Sequence, residues 1–225
     1  MINYDTILET TIIQNNTDAF VIGLHKAYED NYNVSEATLI KGMQFNGMYL
    51  QYVREEDKSV PICLAAVKKN GDAFQYVPNS ISGVAVADAL TVSDPFPNDN
   101  IAIEALKTHG LALRYMSDLS DNPSICLLAA NSVGDSVQFM SPTMLSGEYG
   151  KGIMESAIKN APYAIKYIKK SYFTNIVDYY SMALSAVKIR GELLEFVDTP
   201  TAEVCLEAVR ANPFAIKFVS TSISG

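Results

Sequence analysis

Three cysteines, two histidines, one glycine-rich hexapeptide and one lysine–tyrosine cluster are the residues of this chain whose chemistry could do work. A thiol beside an imidazole makes a nucleophile–base pair, and clustered thiols bind metal or form disulfides. Cys63, Cys126 and Cys205 are widely separated and show neither spacing. Each stands eight residues before a Gly or Pro, where equivalent segments carry Leu39, Ala102, Met154 and Ala183. That interchange describes a buried apolar position, in which free cysteine acts as a small hydrophobe. His109 takes a position filled elsewhere by Asn46, Asn70 and Asn212, which points to a helix terminus. His25 sits beside Lys26 in a helix-like segment with no nucleophile in a recognisable arrangement. The hexapeptide Gly147–Gly152 (GEYGKG) lacks the leading glycine and the Ser or Thr of a phosphate loop, so it reads as a connection between repeats. Asp94 and Asp99, with Asn98 and Asn100, do not have the spacing of a calcium loop. No catalytic residue, metal ligand or cofactor is assigned, and a non-enzyme is expected.

Lys159, Tyr163, Lys166, Lys169, Lys170 and Tyr172 form the one basic-aromatic cluster. Such a patch suits an acidic partner or a small anionic ligand, and tyrosine is favoured at interfaces. Tyr167, within the same stretch, reads instead as a core aromatic.

The elements that must position these residues form a repeat. Breaks fall at Gly47, Gly71, Gly110, Gly134, Pro162, Gly191 and Pro213. Five residues after each break stands an aromatic: Tyr52, Tyr76, Tyr115, Phe139, Tyr167, Phe196 and Phe218. Five residues before it stands a small residue: Gly42, Ala66, Ala105, Ala129, Ala157, Ala186 and Ala208. Positions three and six after the break are apolar in every repeat, and the position before the aromatic is polar in every repeat. Ile62, Cys63, Ala66 and Val67 share one helix face, so each repeat is expected to be helix, break, second helix. Glycine at the break is expected to serve a left-handed helix end. Proline there suits the first turn of the next helix. The small position is expected to admit a neighbouring backbone, where a larger side chain would overpack.

The breaks are spaced 24, 39, 24, 28, 29 and 22 residues apart. Within the long gap, Ser82–Ser93 resembles another first helix, followed by DPFPN, whose prolines forbid a regular helix. We therefore expect an all-α fold of stacked short helix–break–helix repeats, an α-solenoid-like array. Residues 1–36 form an N-terminal cap or diverged repeat, with a capped helix at Asn16–Glu29. Residues 37–225 hold about seven repeats plus a degenerate half-repeat near 82–99.

The net charge of −8 argues against nucleic acid as a partner, because phosphate binding needs a basic footprint. Residues 1–60 and 61–150 each balance to −5, while 151–225 balance to +2. No membrane-length apolar run and no signal-like opening are present, so a cytoplasmic setting is expected, without membrane partners.

The pattern (I/V)CLxAVKxNGxALxYV, best matched at Ile62–Val77, Ile101–Met116 and Val204–Val219, resembles the tandem repeats of the domain-of-unknown-function family numbered 4116. With the weaker repeats the resemblance spans roughly residues 37–220. It implies a helical repeat fold and a microbial or viral source, and no activity. The expected function is a protein-binding repeat module, such as a microbial or viral effector or inhibitor acting in the cytoplasm or host cytosol. The alternative is a binder of a small nucleotide-like anion in a groove near the basic-aromatic cluster.

Overall fold

The computed structural model describes residues 2–82 and 101–219. The expected half-repeat lies, beyond Ser82, outside the described residues. Among these, every regular element is helical, and the chain divides into two compact units, Met1–Tyr115 and Met116–Gly225.

In the first unit, α1 (Tyr4–Ile13) and α2 (Thr17–Glu29) precede three repeats. These repeats pair α3 (Glu36–Phe45) with η1 (Gly47–Tyr52), α4 (Val60–Lys69) with η3 (Gly71–Tyr76), and α6 (Ile101–Thr108) with η4 (Gly110–Tyr115). Here η denotes a 3₁₀ helix. Two short turns, η2 (Glu55–Asp57) and α5 (Asn79–Ser82), lie in the linkers. The second unit begins with η5 (Ser117–Leu119) and holds four repeats. They pair α7 (Pro123–Ser132) with η6 (Gly134–Phe139), α9 (Gly150–Asn160) with η7 (Pro162–Tyr167), α10 (Ile176–Ile189) with η9 (Gly191–Phe196), and α11 (Ala202–Ala211) with η10 (Pro213–Phe218). Its linkers carry α8 (Pro142–Ser146) and η8 (Lys170–Tyr172). Within each unit, α-helices pack on α-helices and 3₁₀ segments on 3₁₀ segments, and the core lies between the two rows.

The second helix of every repeat is thus a 3₁₀ helix that begins on the break residue itself. The chain makes the transition with one extended residue: Asn46, Asn70, Val133, Ala161, Arg190 and Asn212 have φ between −139° and −150°. In all seven repeats the amide before the break donates to the carbonyl of the small residue, at 2.8–3.1 Å. The amide two residues after the break then donates back three positions, at 2.9–3.0 Å. Asn46, Asn70 and Asn212 also cap the 3₁₀ segment through the side chain, each accepting from the amide two residues on. At three residues per turn, the break and the positions three and six beyond it fall in one row. That row is buried in the interior repeats, as with Gly71, Phe74 and Val77.

The expected left-handed glycines are corrected: no described glycine has positive φ. What requires glycine is the next repeat. A Cβ on Gly47, Gly71, Gly134 or Gly191 would overlap the carbonyl oxygen of Ala66, Ala105, Ala157 or Ala208, the small residue of the following repeat. It would also press to 2.9 Å from the Cβ of His109 or Ala161, and to 2.8 Å from that of Asn212. The glycine Hα fills that space and points at the carbonyl, a recurring weak Cα–H···O geometry. At these four seams the missing side chain therefore sets how closely the next repeat approaches.

Polar contacts tie the same seam. Asp72, one residue after its break, meets His109 Nδ1 at 3.2 Å and Arg114 Nη2 at 3.0 Å in the next repeat. Asp135 meets Lys166 at 3.7 Å, and Glu192 accepts from Asn212 Nδ2 at 3.2 Å. Where that position is Tyr163, the Arg190 guanidinium of the next repeat lies over the ring, 5.2 Å from its centroid.

Phe20 and Asp5 are prominent among the residues that join the first two helices to the repeats. Phe20 on α2 is fully buried, stacks on Tyr49 of η1 with centroids 4.7 Å apart, and lies against Gly42. Asp5 on α1 accepts from the Ser35 amide and hydroxyl and from the Tyr32 hydroxyl, each at 2.9 Å. Burial pushes the Asp5 carboxyl up, but hydrogen bonds from Thr38, Ser35 and Tyr32 outweigh it and hold it below its ordinary value. A depressed carboxyl stabilises the fold fully above its unfolded value, and this contribution disappears as pH falls through the folded one. The urea midpoint should therefore decline on acidification below about pH 4, and Asp5→Asn should show a smaller decline over that range.

Candidate binding surface

The six residues of the basic-aromatic cluster all lie in the second unit, in separate surroundings. Lys159, on the last turn of α9, makes no ion pair among the described residues and lines a groove of about 360 Å³ between α9 and α10. Glu155, Ser181, Ser185 and Ile189 share that groove. Tyr163 and Lys166 belong to η7 and are engaged by Arg190 and Asp135 as above, and the Lys166 ammonium also lies 4.6 Å from the Tyr167 ring centroid. The Tyr167 ring is half-buried, and so departs from the expected core position. Lys169 is exposed before η8.

Lys170 donates to Tyr180 Oη at 3.0 Å and to Thr199 Oγ1 at 2.8 Å, and the Tyr180 hydroxyl donates to the Thr199 carbonyl at 2.9 Å. The Lys170 ammonium thereby holds the Tyr180 phenol below its ordinary value. Tyr172 borders a different depression, of about 330 Å³, with Gly147, Lys151 and Asp178, in which Lys151 pairs with Asp178 at 2.7 Å. Lys166 and Lys170 are thus spent on internal partners, whereas Lys159 and Lys169 make no ion pair among the described residues.

The expected connection at Gly147–Gly152 is shorter than the sequence suggested. Gly147 closes α8, and Gly150 already opens α9, where a Cβ would run into the Leu145 carbonyl.

A second groove, about 580 Å³, lies between α7 and α9. Leu127, Tyr149 and Ile153 give it a mostly apolar lining, and Glu148 contributes the one carboxylate. Leu127 is 41% and Tyr149 56% exposed. Sequence reasoning missed this surface, although a signal was present. Seven residues before the break the repeats carry Ile40, Leu64, Ile103, Leu127, Glu155, Leu184 and Leu206, apolar in six of seven. Most of these side chains are only partly covered, so within each unit they form an apolar strip on the outer side of the first helices, interrupted by Glu155 in the second.

The three cysteines are free and buried, as the repeat position implied. Burial pushes the Cys63 and Cys126 thiols up to about 12 and raises that of Cys205. A buried thiol far from its thiolate form is a poor nucleophile. Native protein at neutral pH should therefore resist iodoacetamide at all three positions, and mass spectrometry should show full alkylation only after unfolding. Among the described residues no group of three His, Cys, Asp or Glu side chains could hold a metal ion, and no helix is long and apolar enough to cross a membrane.

Residues 39–82 match the family model described as a domain of unknown function (DUF4116). The match spans η1, η2, α4, η3 and α5 together with most of α3, nearly two repeats. No curated protein and no solved structure matches the chain.

Proposed function

We propose that the chain is a non-enzymatic protein-binding repeat module that seats a partner in the α7–α9 groove. The observation that carries this reading is the pair Leu127 and Tyr149, large apolar side chains left exposed around a groove with an apolar floor. Exposed apolar surface rimmed by polar groups is what protein partners cover, and aromatic anchors contribute disproportionately. An effector or inhibitor role in a microbe or virus is the form of this reading that the family resemblance suggests. The test is capture from lysate with wild-type, Leu127→Glu and Tyr149→Glu baits, followed by mass spectrometry of proteins and small molecules. Protein partners should elute from the wild type and be lost from both variants. Elution of metabolites alone, or the same proteins from all three baits, would sink the reading.

The unpaired Lys159 in the α9–α10 groove supports a second reading, in which a small nucleotide-like anion binds there. Glu155 on the same wall works against it, because an anion would meet both charges. Calorimetric titration with a nucleoside triphosphate decides: binding abolished by Lys159→Gln supports this reading, and no heat of binding removes it.

A further inference from the structure

Two 3₁₀ segments of the second unit are near copies. Residues 162–167 read PYAIKY and residues 213–218 read PFAIKF. Their local structures agree: both begin on proline after an extended residue, and in both the lysine lies 4.6 Å from the ring centroid of the aromatic that follows it. Their surroundings do not agree. Ile165 is fully buried, while its counterpart Ile216 is 62% exposed. Tyr163 is 36% exposed and its counterpart Phe214 is 81% exposed. The position of Ile216 is buried in every other repeat: Leu50, Phe74, Leu113, Val137, Ile165 and Leu194.

The chain itself shows what covers such a face. η7 is covered by α10 and η9 of the following repeat, with Ala186 at the small position and Arg190 over the Tyr163 ring. An aromatic one residue after the break thus takes a cation immediately before the next break. A cation over an aromatic face is attractive by the ring quadrupole, more so once desolvated. A second copy of this chain does not offer the required surface: α4, α6, α9, α10 and α11 each already carry the 3₁₀ segment of the preceding repeat, and the repeats of α3 and α7 have Asn46 and Val133, not a cation, before their breaks.

We infer that the face formed by Pro213–Phe218 docks one further helix–3₁₀ repeat, with an alanine or glycine at its small position and a basic residue just before its break. This deepens the protein-binding reading by naming a partner class, and it uses Phe214 and Ile216 rather than the α7–α9 groove. Loss of capture in Leu127→Glu therefore bears on the groove alone, and loss of docking in Phe214→Asp bears on this face alone.

The test presents the full chain with its own covering segment. A labelled synthetic peptide of residues 170–197 is titrated into the protein. The same segment is also appended to the C-terminus through a flexible Gly/Ser linker, so that the ordering cost of a free peptide does not decide the outcome. Saturable binding is expected, weakened about tenfold or more by Phe214→Asp in the protein or Arg190→Glu in the peptide, and unchanged by Leu127→Glu. The appended segment should raise the melting temperature by about 4 °C or more, and its Arg190→Glu version should not. An unchanged melting temperature with the appended segment would overturn the inference, as would peptide binding indifferent to Phe214→Asp. A dimer of the unmodified chain, seen by sedimentation and dissolved by Phe214→Asp, would overturn it by giving the face to a second copy.

Discussion

Gly134→Ala is expected to destabilise the second unit by about 3 kcal/mol, toward the upper end of what overpacking costs. The added methyl meets the Ala157 carbonyl and the Ala161 Cβ, and neither can swing aside, because both belong to the backbone path of the next repeat. The Ala157 carbonyl is also committed to the Ala161 amide at 2.8 Å. Relief requires the two repeats to separate, which uncovers the row containing Val137 and Met140. Gly152→Ala is the matched control. Gly152 lies in the first turn of α9 with nothing within 4 Å of an added Cβ. That substitution should leave stability unchanged or raise it by about 0.5–1 kcal/mol, from helix propensity and a less flexible unfolded chain. Urea denaturation of the two variants measures the contrast. Equal effects would remove the steric account of the break glycines.

Phe20→Ala is expected to cost the first unit about 4 kcal/mol. Phe20 is fully buried, stacks on Tyr49 with planes 9° apart, and fills the space above Gly42. Gly42 is the one small position occupied by glycine rather than alanine, and a Cβ there would run into the phenyl ring. The ring and the missing methyl are therefore two halves of one fit. Gly42→Ala should be destabilising alone and much less so with Phe20→Ala, a coupling that a double-mutant cycle in urea reads directly.

The repeat was legible because its strictest positions answer to sterics. The small residue, the break and the apolar positions three and six beyond it each face backbone or core, so few side chains are tolerated there. The sequence also carried the 3₁₀ character: apolar positions at zero, three and six follow a period of three, whereas an α-helix would drift off that row. Reading them as an ordinary second helix missed this, and assigning glycine to a left-handed end missed its real neighbour. The position two after the break was not legible. Tyr49, Ala73, Ala112, Ser136, Ala164, Leu193 and Ala215 are all buried there, yet they differ too widely in size and polarity to stand out.

The basic-aromatic cluster looked like one patch because its members are close in sequence. Side-chain partners from other segments divide it: Lys166 is drawn to Asp135, Tyr163 to Arg190, and Lys170 to Tyr180 and Thr199. Such pairs are invisible without the register between repeats. Asp72 is likewise consumed by the seam. The apolar strip that includes Leu127 escaped notice for the opposite reason. Its residues look like ordinary core, and only their partial exposure marks them as surface.

The central claim is that Gly47, Gly71, Gly134 and Gly191 each turn one Hα toward the small-residue carbonyl of the next repeat and so set the spacing between those repeats. Nuclear Overhauser spectroscopy of the labelled protein tests it most directly. The account predicts cross-peaks from an Hα of Gly134 to the Ala161 methyl, of Gly71 to the His109 Hβ protons, and of Gly191 to the Asn212 Hβ protons. It also predicts unequal shifts for the two Hα protons of each glycine. Absence of these cross-peaks, or glycine couplings that report positive φ, would contradict it.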